Sequence, residues 1–229
     1  MKKGKKHLVI TVDGPAGSGK TTVAMEVTRK LGIYHIDTGA MYRALALVAI
    51  KKGIDISDEN SVKKMLDDVK LEYIPEKDGY ELYLDGDEVS DKIRTRKVTK
   101  ASSDISVHAS VREYMVPLQR KLGDKYDIVM EGRDIGTVVF PDAQVKVYLT
   151  ASLLERTRRR MKQDGISYSP TGFKKTMDDI EERDENDSNR AFAPLRPARD
   201  AKIIDTTCLS FDDVVNIVIE EARRVWDIS

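Results

Sequence analysis

The chain has 229 residues with 39 basic and 39 acidic side chains, so its formal net charge is zero. About 40% of residues are hydrophobic and 34% charged, which supplies a real core and excludes a disordered or fibrous chain. Zero net charge argues against long-range gripping of a polynucleotide, and the length fits one domain or a core with a small inserted lobe.

Cys208 is the single cysteine, so no disulfide framework and no four-cysteine zinc site are expected. Lys2, Lys3, Lys5 and Lys6 could imitate the start of a signal peptide, but the apolar run behind them, Leu8 to Val12, ends at Asp13-Gly14. A secretory segment needs about 7–15 apolar residues and a membrane helix about 20. The expectation is a soluble cytoplasmic protein with a solvated lysine tail, no membrane partner, and a monomer, since no exposed apolar heptad suggests assembly.

Leu8-Val9-Ile10-Thr11-Val12 reads as a strand buried on both faces. It runs into Gly14-Pro15-Ala16-Gly17-Ser18-Gly19-Lys20-Thr21-Thr22, which fits the P-loop pattern of Gly, four residues and Gly-Lys-Thr. Val23, Ala24, Val27 and Leu31 then recur at helical spacing, and Gly32 sits where a helix stops. The glycines let successive N–H groups turn inward on phosphate oxygens, and the helix N-terminus adds its positive end. Lys20 supplies a point charge for the β- and γ-phosphates, and the Thr21 hydroxyl is placed to ligate Mg²⁺ held with ATP. A chance glycine turn with a surface lysine is the bland alternative, and the strand and helix flanks argue against it.

Further on, Tyr34 to Asp37 reads as a short strand, Thr38 as an N-cap, and Gly39 to Lys52 as a helix closed by Gly53. Ser57 is expected to cap a helix to about Val69. Leu71 to Ile74 and Tyr80 to Leu84 alternate like strands, and Asp85-Gly86 turns the chain toward Val89, which predicts a small antiparallel insert. Tyr73, Tyr80 and Tyr83 suit a mini-core within it. Val98 to Leu122 reads as mostly helical with a kink or restart at Pro117. Asp127 to Met130 and Val145 to Leu149 read as strands, and Ser152 caps a helix to about Gln163. Gly165 to Gly172 reads as a loop and Phe173 to about Asp184 as a helix. Ile203 to Asp205 is a last strand, and Ser210 with Asp212 and Asp213 opens a terminal helix to Trp226. Strands alternating with helices predict an α/β fold, a parallel sheet covered on both faces.

Three segments beyond the P-loop invite a site. Ile128 to Glu131 is an apolar strand ending in an acid, which is either a Walker B carboxylate near Mg²⁺ or an ordinary strand end. Arg133 and Asp134 follow it, where ligands of open α/β sheets bind, and could meet a phosphate and a base edge. Asp37 to Arg43 could meet a second anion or be a plain helix cap with an exposed arginine. The run Glu155 to Arg160 is either a solvated face or, with Arg183 to Arg190, a lid that excludes water. His7, His35 and His108 show no ligand spacing, and His35 reads as a packed or surface residue.

Taken together, Asp13 to Lys20, Asp37 to Arg43, Glu131 to Pro141, Glu182 to Asp184 and Asn189 to Leu195 resemble the bacterial cytidylate kinases. These are small P-loop nucleoside-monophosphate kinases acting on CMP and dCMP. The resemblance covers nearly the whole chain after the lysine tail. It implies a three-layer P-loop core at 1–37, 113–152 and 191–229. A monophosphate-binding lobe would span 38–112, with its insert at about 71–89, and a short helical lid region 153–190. It implies phosphoryl transfer from ATP to CMP or dCMP with Mg²⁺. Thr38, Arg43, Ser103, Arg112, Arg133, Asp134, Asp187 and Arg190 would surround CMP. Of these, Ser103, Arg112 and Asp134 would read the cytosine, and Arg43, Arg133 and Arg190 would take the phosphate. Asp187, with Arg183, would meet the ribose. Lys20, Arg133, Arg183 and Arg190 would act on the transferring group, and Arg156 and Arg160 would lie on the ATP side of the lid. Two departures stand out: Glu131 where the family often has aspartate, and Thr38 where serine is common. A kinase of the same fold for AMP, UMP, shikimate or dephospho-coenzyme A is the first rival, and a P-loop switch that hydrolyses its nucleotide is the second.

Overall fold

A computed structural model describes residues 7–226, so the four N-terminal lysines lie outside the described residues. Its eight strands and eight helices follow in chain order. They are β1 (Val9–Asp13), α1 (Lys20–Leu31), β2 (Tyr34–Asp37), α2 (Thr38–Lys52), α3 (Glu59–Asp67), β3 (Leu71–Glu76), β4 (Gly79–Leu84) and β5 (Asp87–Glu88). Next come α4 (Arg96–Ile105), α5 (Ala109–Lys125), β6 (Ile128–Gly132), β7 (Val145–Thr150), α6 (Leu153–Gln163), α7 (Pro170–Asn189), β8 (Lys202–Asp205) and α8 (Phe211–Val225). A π-helical turn, Ile135–Val139, follows β6. The α/β fold predicted from the alternation is present.

The five-stranded sheet is parallel in the order β2-β6-β1-β7-β8. β1 lies at its centre with every residue buried. Its alternate side chains serve two cores. Val9 packs with Ile36, Met130 and the helix α2 residues Met41 and Leu45, whereas Ile10 and Val12 pack with Val23 and Val27 of α1 and Val215 of α8. That is the three-layer arrangement a strand buried on both faces demands, and each apolar side chain contributes about 1.5–3 kcal/mol by burial. The chain leaves β1 toward one edge and β7 toward the other. The order therefore reverses beside β1, and the carboxyl ends of the strands open a crevice there.

The insert is a three-stranded antiparallel sheet, β3-β4-β5. Tyr73 stacks on Tyr80 with ring centroids 4.9 Å apart. Tyr83 does not join them: it points to solvent and donates to Glu81. The hydroxyl of Tyr73 accepts from the Asp37 N–H at 3.0 Å and lies 3.4 Å from the His35 carbonyl, so the insert is fastened to the end of β2.

Several element ends differ from the sequence expectation for local reasons. Asp37, not Thr38, caps α2 by accepting from the Ala40 N–H, and Asp58, not Ser57, caps α3. Both hydroxyls are engaged elsewhere, Thr38 on the Glu131 carbonyl and Ser57 on Asp55, which leaves the orphan donors to the neighbouring carboxylates. The long helical stretch breaks at Ser106 to His108, where the His108 ring bonds the Ile56 carbonyl, and Pro117 is accommodated inside α5. Helix α7 starts at Pro170 behind a Ser169 cap and runs to Asn189, so the expected loop to Gly172 is shorter. The proline is favourable at a first helical position. No helix among the described residues is long and apolar enough to cross a membrane.

The Tyr73 staple generates a prediction. Tyr73→Phe leaves the buried Asp37 N–H without its acceptor and should lower unfolding free energy by about 1–3 kcal/mol in a urea titration. An unchanged midpoint and slope would show that the insert is held by packing alone.

Candidate active site

The loop between β1 and α1 is built around left-handed backbone at Gly17 (φ 76°) and Gly19 (φ 93°). Gly14 has φ 148°, and a Cβ there would collide with the carbonyl oxygen of Leu149. Helix α1 has no side-chain N-cap, so its first N–H groups face the crevice, a ready anion site. Lys20 is buried and its Nζ donates to the Pro15 carbonyl at 2.6 Å. Burial and the Arg133 charge hold its pKa well below the usual lysine range.

Two side chains clamp the loop from the lid side. Asp184 of α7 accepts from the Ala16 N–H at 3.1 Å, and Arg156 of α6 donates to the Ala16 carbonyl at 3.1 Å. Arg156 also bonds the Ala151 carbonyl and pairs with Asp184. Behind the loop, the buried Asp13 carboxylate accepts from Ile135 N (2.9 Å) and Gly136 N (2.7 Å), which ties the segment after β6 to β1. Burial raises the Asp13 carboxyl to about 6 despite those two donors.

Glu131 closes the floor. Its Oε2 accepts from Thr21 Oγ1 at 2.8 Å and its Oε1 meets His35 Nε2 at 3.0 Å. Burial works against a charged His35, but the bond to Glu131 and its charge outweigh burial, so the imidazole pKa is raised. The Glu131 backbone carbonyl accepts from Thr38 Oγ1 at 2.6 Å. Hard oxygen donors from Thr21 and Glu131 beside a phosphate cradle fit Mg²⁺, which takes one or two protein oxygens and completes its shell with phosphate and water. Among the described residues no larger cluster of acids, histidines and cysteines could hold a metal.

Beyond Glu131 lies a cluster of guanidinium groups. Arg133 Nε donates to Asp187 at 2.6 Å. Arg112 pairs with Asp134, and Arg190 lies 3.5 Å from Asp134 and 3.8 Å from Asp187. Arg43 pairs with Asp37 at 2.8 Å. Arg183 has a buried Nε with no partner, as has Arg112. Burial and the neighbouring Arg133 pull the Arg183 pKa down to about 10, with Arg160 and Arg43 adding to the effect. At Asp187 burial is offset by Arg133 and Arg183, which hold its carboxyl low. A cavity of about 400 Å³, lined by Ala16, Lys100, Ser103, Arg160, Arg183 and Asn186 among others, opens between the P-loop, α4 and α7. That volume suits one small ligand.

The family model for cytidylate kinase matches residues 10–224. The chain belongs to the cytidylate kinase family. The "Cytidylate kinase" of Halalkalibacterium halodurans is 45% identical over 93% of this chain and 96% of its own length. That of Bacillus subtilis is 42% identical over 96% of this chain and 98% of its own length. An uncharacterized protein from Eubacterium ventriosum shares the fold at TM-score 0.50 and 12% identity, covering 93% of this chain and 97% of that one. As a member of the cytidylate kinase family the chain is a transferase of the nucleoside-monophosphate kinase class, phosphorylating a nucleotide with ATP.

Most residues expected of the family converge here, and a few do something else. Thr21 and Glu131 meet, and Arg133, Arg183, Asp187 and Arg190 form one cluster with Arg112 and Asp134. Ser103 lines the cavity with a buried hydroxyl that has no partner. Thr38 spends its hydroxyl on the Glu131 carbonyl. Arg156 is buried against the loop backbone, so it lies on no solvated face, whereas Arg160 pairs with Asp164 at the cavity wall. Of the α7 acids near Arg183, Asp184 pairs with Arg156 and Asp187 with Arg133, whereas Glu185 is exposed. His35 and the Asp184–Arg156 clamp are partners that sequence reasoning passed over. The nearest signal was the arginine-dense helix followed by the Arg183-Asp184 pair.

Gly14→Ala tests the loop. The strained φ and the collision at Leu149 should cost more than about 1 kcal/mol of stability and abolish ATP binding in calorimetry. Unchanged ATP affinity would show that the loop tolerates a side chain at its base.

Proposed function

We propose that the protein transfers the γ-phosphoryl group of ATP to CMP and dCMP, giving ADP and CDP or dCDP. The reading rests on one observation above all: Arg112, Arg133, Arg183 and Arg190 gather around two carboxylates, Asp134 and Asp187, and Arg43, paired with Asp37, adds its charge to Arg183. Such an excess beside a P-loop calls for a second anionic ligand. Membership of the cytidylate kinase family supplies the cytosine nucleotide.

In this mechanism ATP lies with its phosphates on the N–H groups of the Gly17 to Thr22 segment. An oxygen of the CMP phosphate forms a bond to the γ-phosphorus as the bond to the β–γ bridging oxygen breaks, and ADP departs. No group of the enzyme is covalently modified. Lys20, Arg133, Arg183 and Arg190 offset the repulsion between two polyanions and the charge spread over the transferring group. Thr21 and Glu131 are the residues that would hold Mg²⁺, which when bound neutralises phosphate charge. Arg43 and Arg133 take the acceptor phosphate. Ser103, Arg112 and Asp134 read the cytosine edge, the unpartnered Ser103 hydroxyl being one group so available. Asp187 meets the ribose. Arg156 serves ATP through the loop it holds, and Arg160 from the cavity wall. Closing α6 and α7 over the site excludes water that would otherwise take the phosphoryl group.

A panel of acceptors in a coupled ADP-release assay tests this. CMP or dCMP should exceed AMP, GMP and UMP in kcat/KM by about a hundredfold or more, because buried polar groups left unpaired penalise the wrong base. Asp134→Ala should shrink that ratio. A preference for AMP, or rapid ATP hydrolysis with no acceptor present, would contradict the proposal.

A further inference from the structure

Glu131 stands just before the last residue of β6 with a side chain one methylene longer than an aspartate would have there. The longer side chain has one more torsion to restrain if its carboxylate is to occupy a fixed place. The structure supplies the restraint from the neighbouring strand. In the register of β2 against β6, Asp37 lies opposite Glu131 and His35 lies opposite Val129. His35 therefore meets Glu131 on the diagonal, one step back along the sheet, where an aspartate carboxylate is a methylene short of it. The contact is 3.0 Å from Nε2 to Oε1, with side chains only 8% and 5% exposed. That bond engages one oxygen of the carboxylate. The other oxygen receives the Thr21 hydroxyl at 2.8 Å. One carboxylate is thus divided between an anchor and the P-loop threonine.

We infer that His35 is a positioning residue for the metal–nucleotide site: by holding Oε1 of Glu131 it aims Oε2 at Thr21 and at the cation that arrives with ATP. The inference rests on the reading of Thr21 and Glu131 as the Mg²⁺-side groups. Partners that orient a ligating carboxylate act on metal affinity without touching the metal. They are distinct from groups that bind the nucleotide itself, and that distinction makes the role measurable. His35 touches neither the P-loop backbone nor the arginine cluster among its hydrogen bonds.

The test is equilibrium ATP binding to the full chain, measured by calorimetry with saturating Mg²⁺ and again with EDTA. His35→Leu should reduce the Mg²⁺-dependent gain in ATP affinity about tenfold or more, while affinity in EDTA stays as in the wild type. His35→Gln, whose amide N–H reaches about as far as Nε2, should retain most of the gain. His35→Asn, whose amide is too short, should behave as His35→Leu and carries the test should the leucine variant not fold. In a Glu131→Asp background the leucine substitution should change nothing, because the shorter carboxylate does not depend on His35. Equal losses with and without Mg²⁺ would mean a purely structural role and overturn the inference. So would an intact Mg²⁺ gain in His35→Leu, or a loss that persists in the Glu131→Asp background. Glu131→Gln separates the two levels. If it leaves the Mg²⁺ gain intact, the metal-side reading of Glu131 fails. If it removes the gain while His35→Leu does not, only the role of His35 fails.

Discussion

Burying guanidinium charge without enough counter-charge is expensive, and the crevice of this protein does so deliberately. Arg112, Arg133, Arg183 and Arg190 converge on two carboxylates, Asp134 and Asp187. The Nε atoms of Arg112 and Arg183 are buried with no partner. Removing charges from water costs several kcal/mol per ion unless geometry and hydrogen bonds offset it. The cluster is therefore a strained holding arrangement. On the proposed function, Asp134 and Asp187 hold the guanidinium groups in place for the incoming nucleotide, whose phosphate oxygens would meet Arg133 and Arg190.

The rest of the fold delivers those charges close enough to the P-loop lysine for Arg133 and Arg183 to act on it. The parallel sheet brings Asp13, Asp37 and Glu131 to one rim, because all three stand at the carboxyl ends of neighbouring strands. Each then has a structural duty besides any chemical one: Asp13 caps the turn after β6, Asp37 caps α2 and restrains Arg43, and Glu131 ties Thr21 and His35 to the floor. The lid helices are pinned to the loop by the Ala16 clamp of Asp184 and Arg156. Asp184, Asp187 and Arg183 all sit on α7, so any displacement of that helix moves the three side chains together.

How much of this was legible in the sequence depended on how local the cause was. The P-loop reads directly, because strand, glycine turn and helix follow one another within 24 residues, Leu8 to Leu31. The insert reads from its alternation and its Asp85-Gly86 turn for the same reason. The arginine cluster was reached through the family resemblance, since its members come from α5, the turn after β6, α7 and the segment beyond it. No local pattern announces that they meet. His35 was invisible because a lone histidine in a strand gains meaning only from the neighbouring strand, 96 residues away. The break after Ile105 was misplaced for a related reason. Pro117 is the obvious local breaker, but the chain turns where His108 finds the Ile56 carbonyl, a tertiary bond. Arg156 likewise looked like part of a charged helix face until the loop it grips was placed beside it.

The central claim is that the arginine cluster receives the phosphate of a nucleoside monophosphate. Phosphorus NMR of CMP bound to the enzyme, titrated from pH 5 to 8, tests it most directly. A free phosphate monoester dianion takes up a proton near a pKa of about 6. A phosphate held by several guanidinium groups should remain dianionic, its titration displaced well below that value or out of the range altogether. A bound phosphate that titrates as it does in free solution, or no CMP binding at all, would contradict the account.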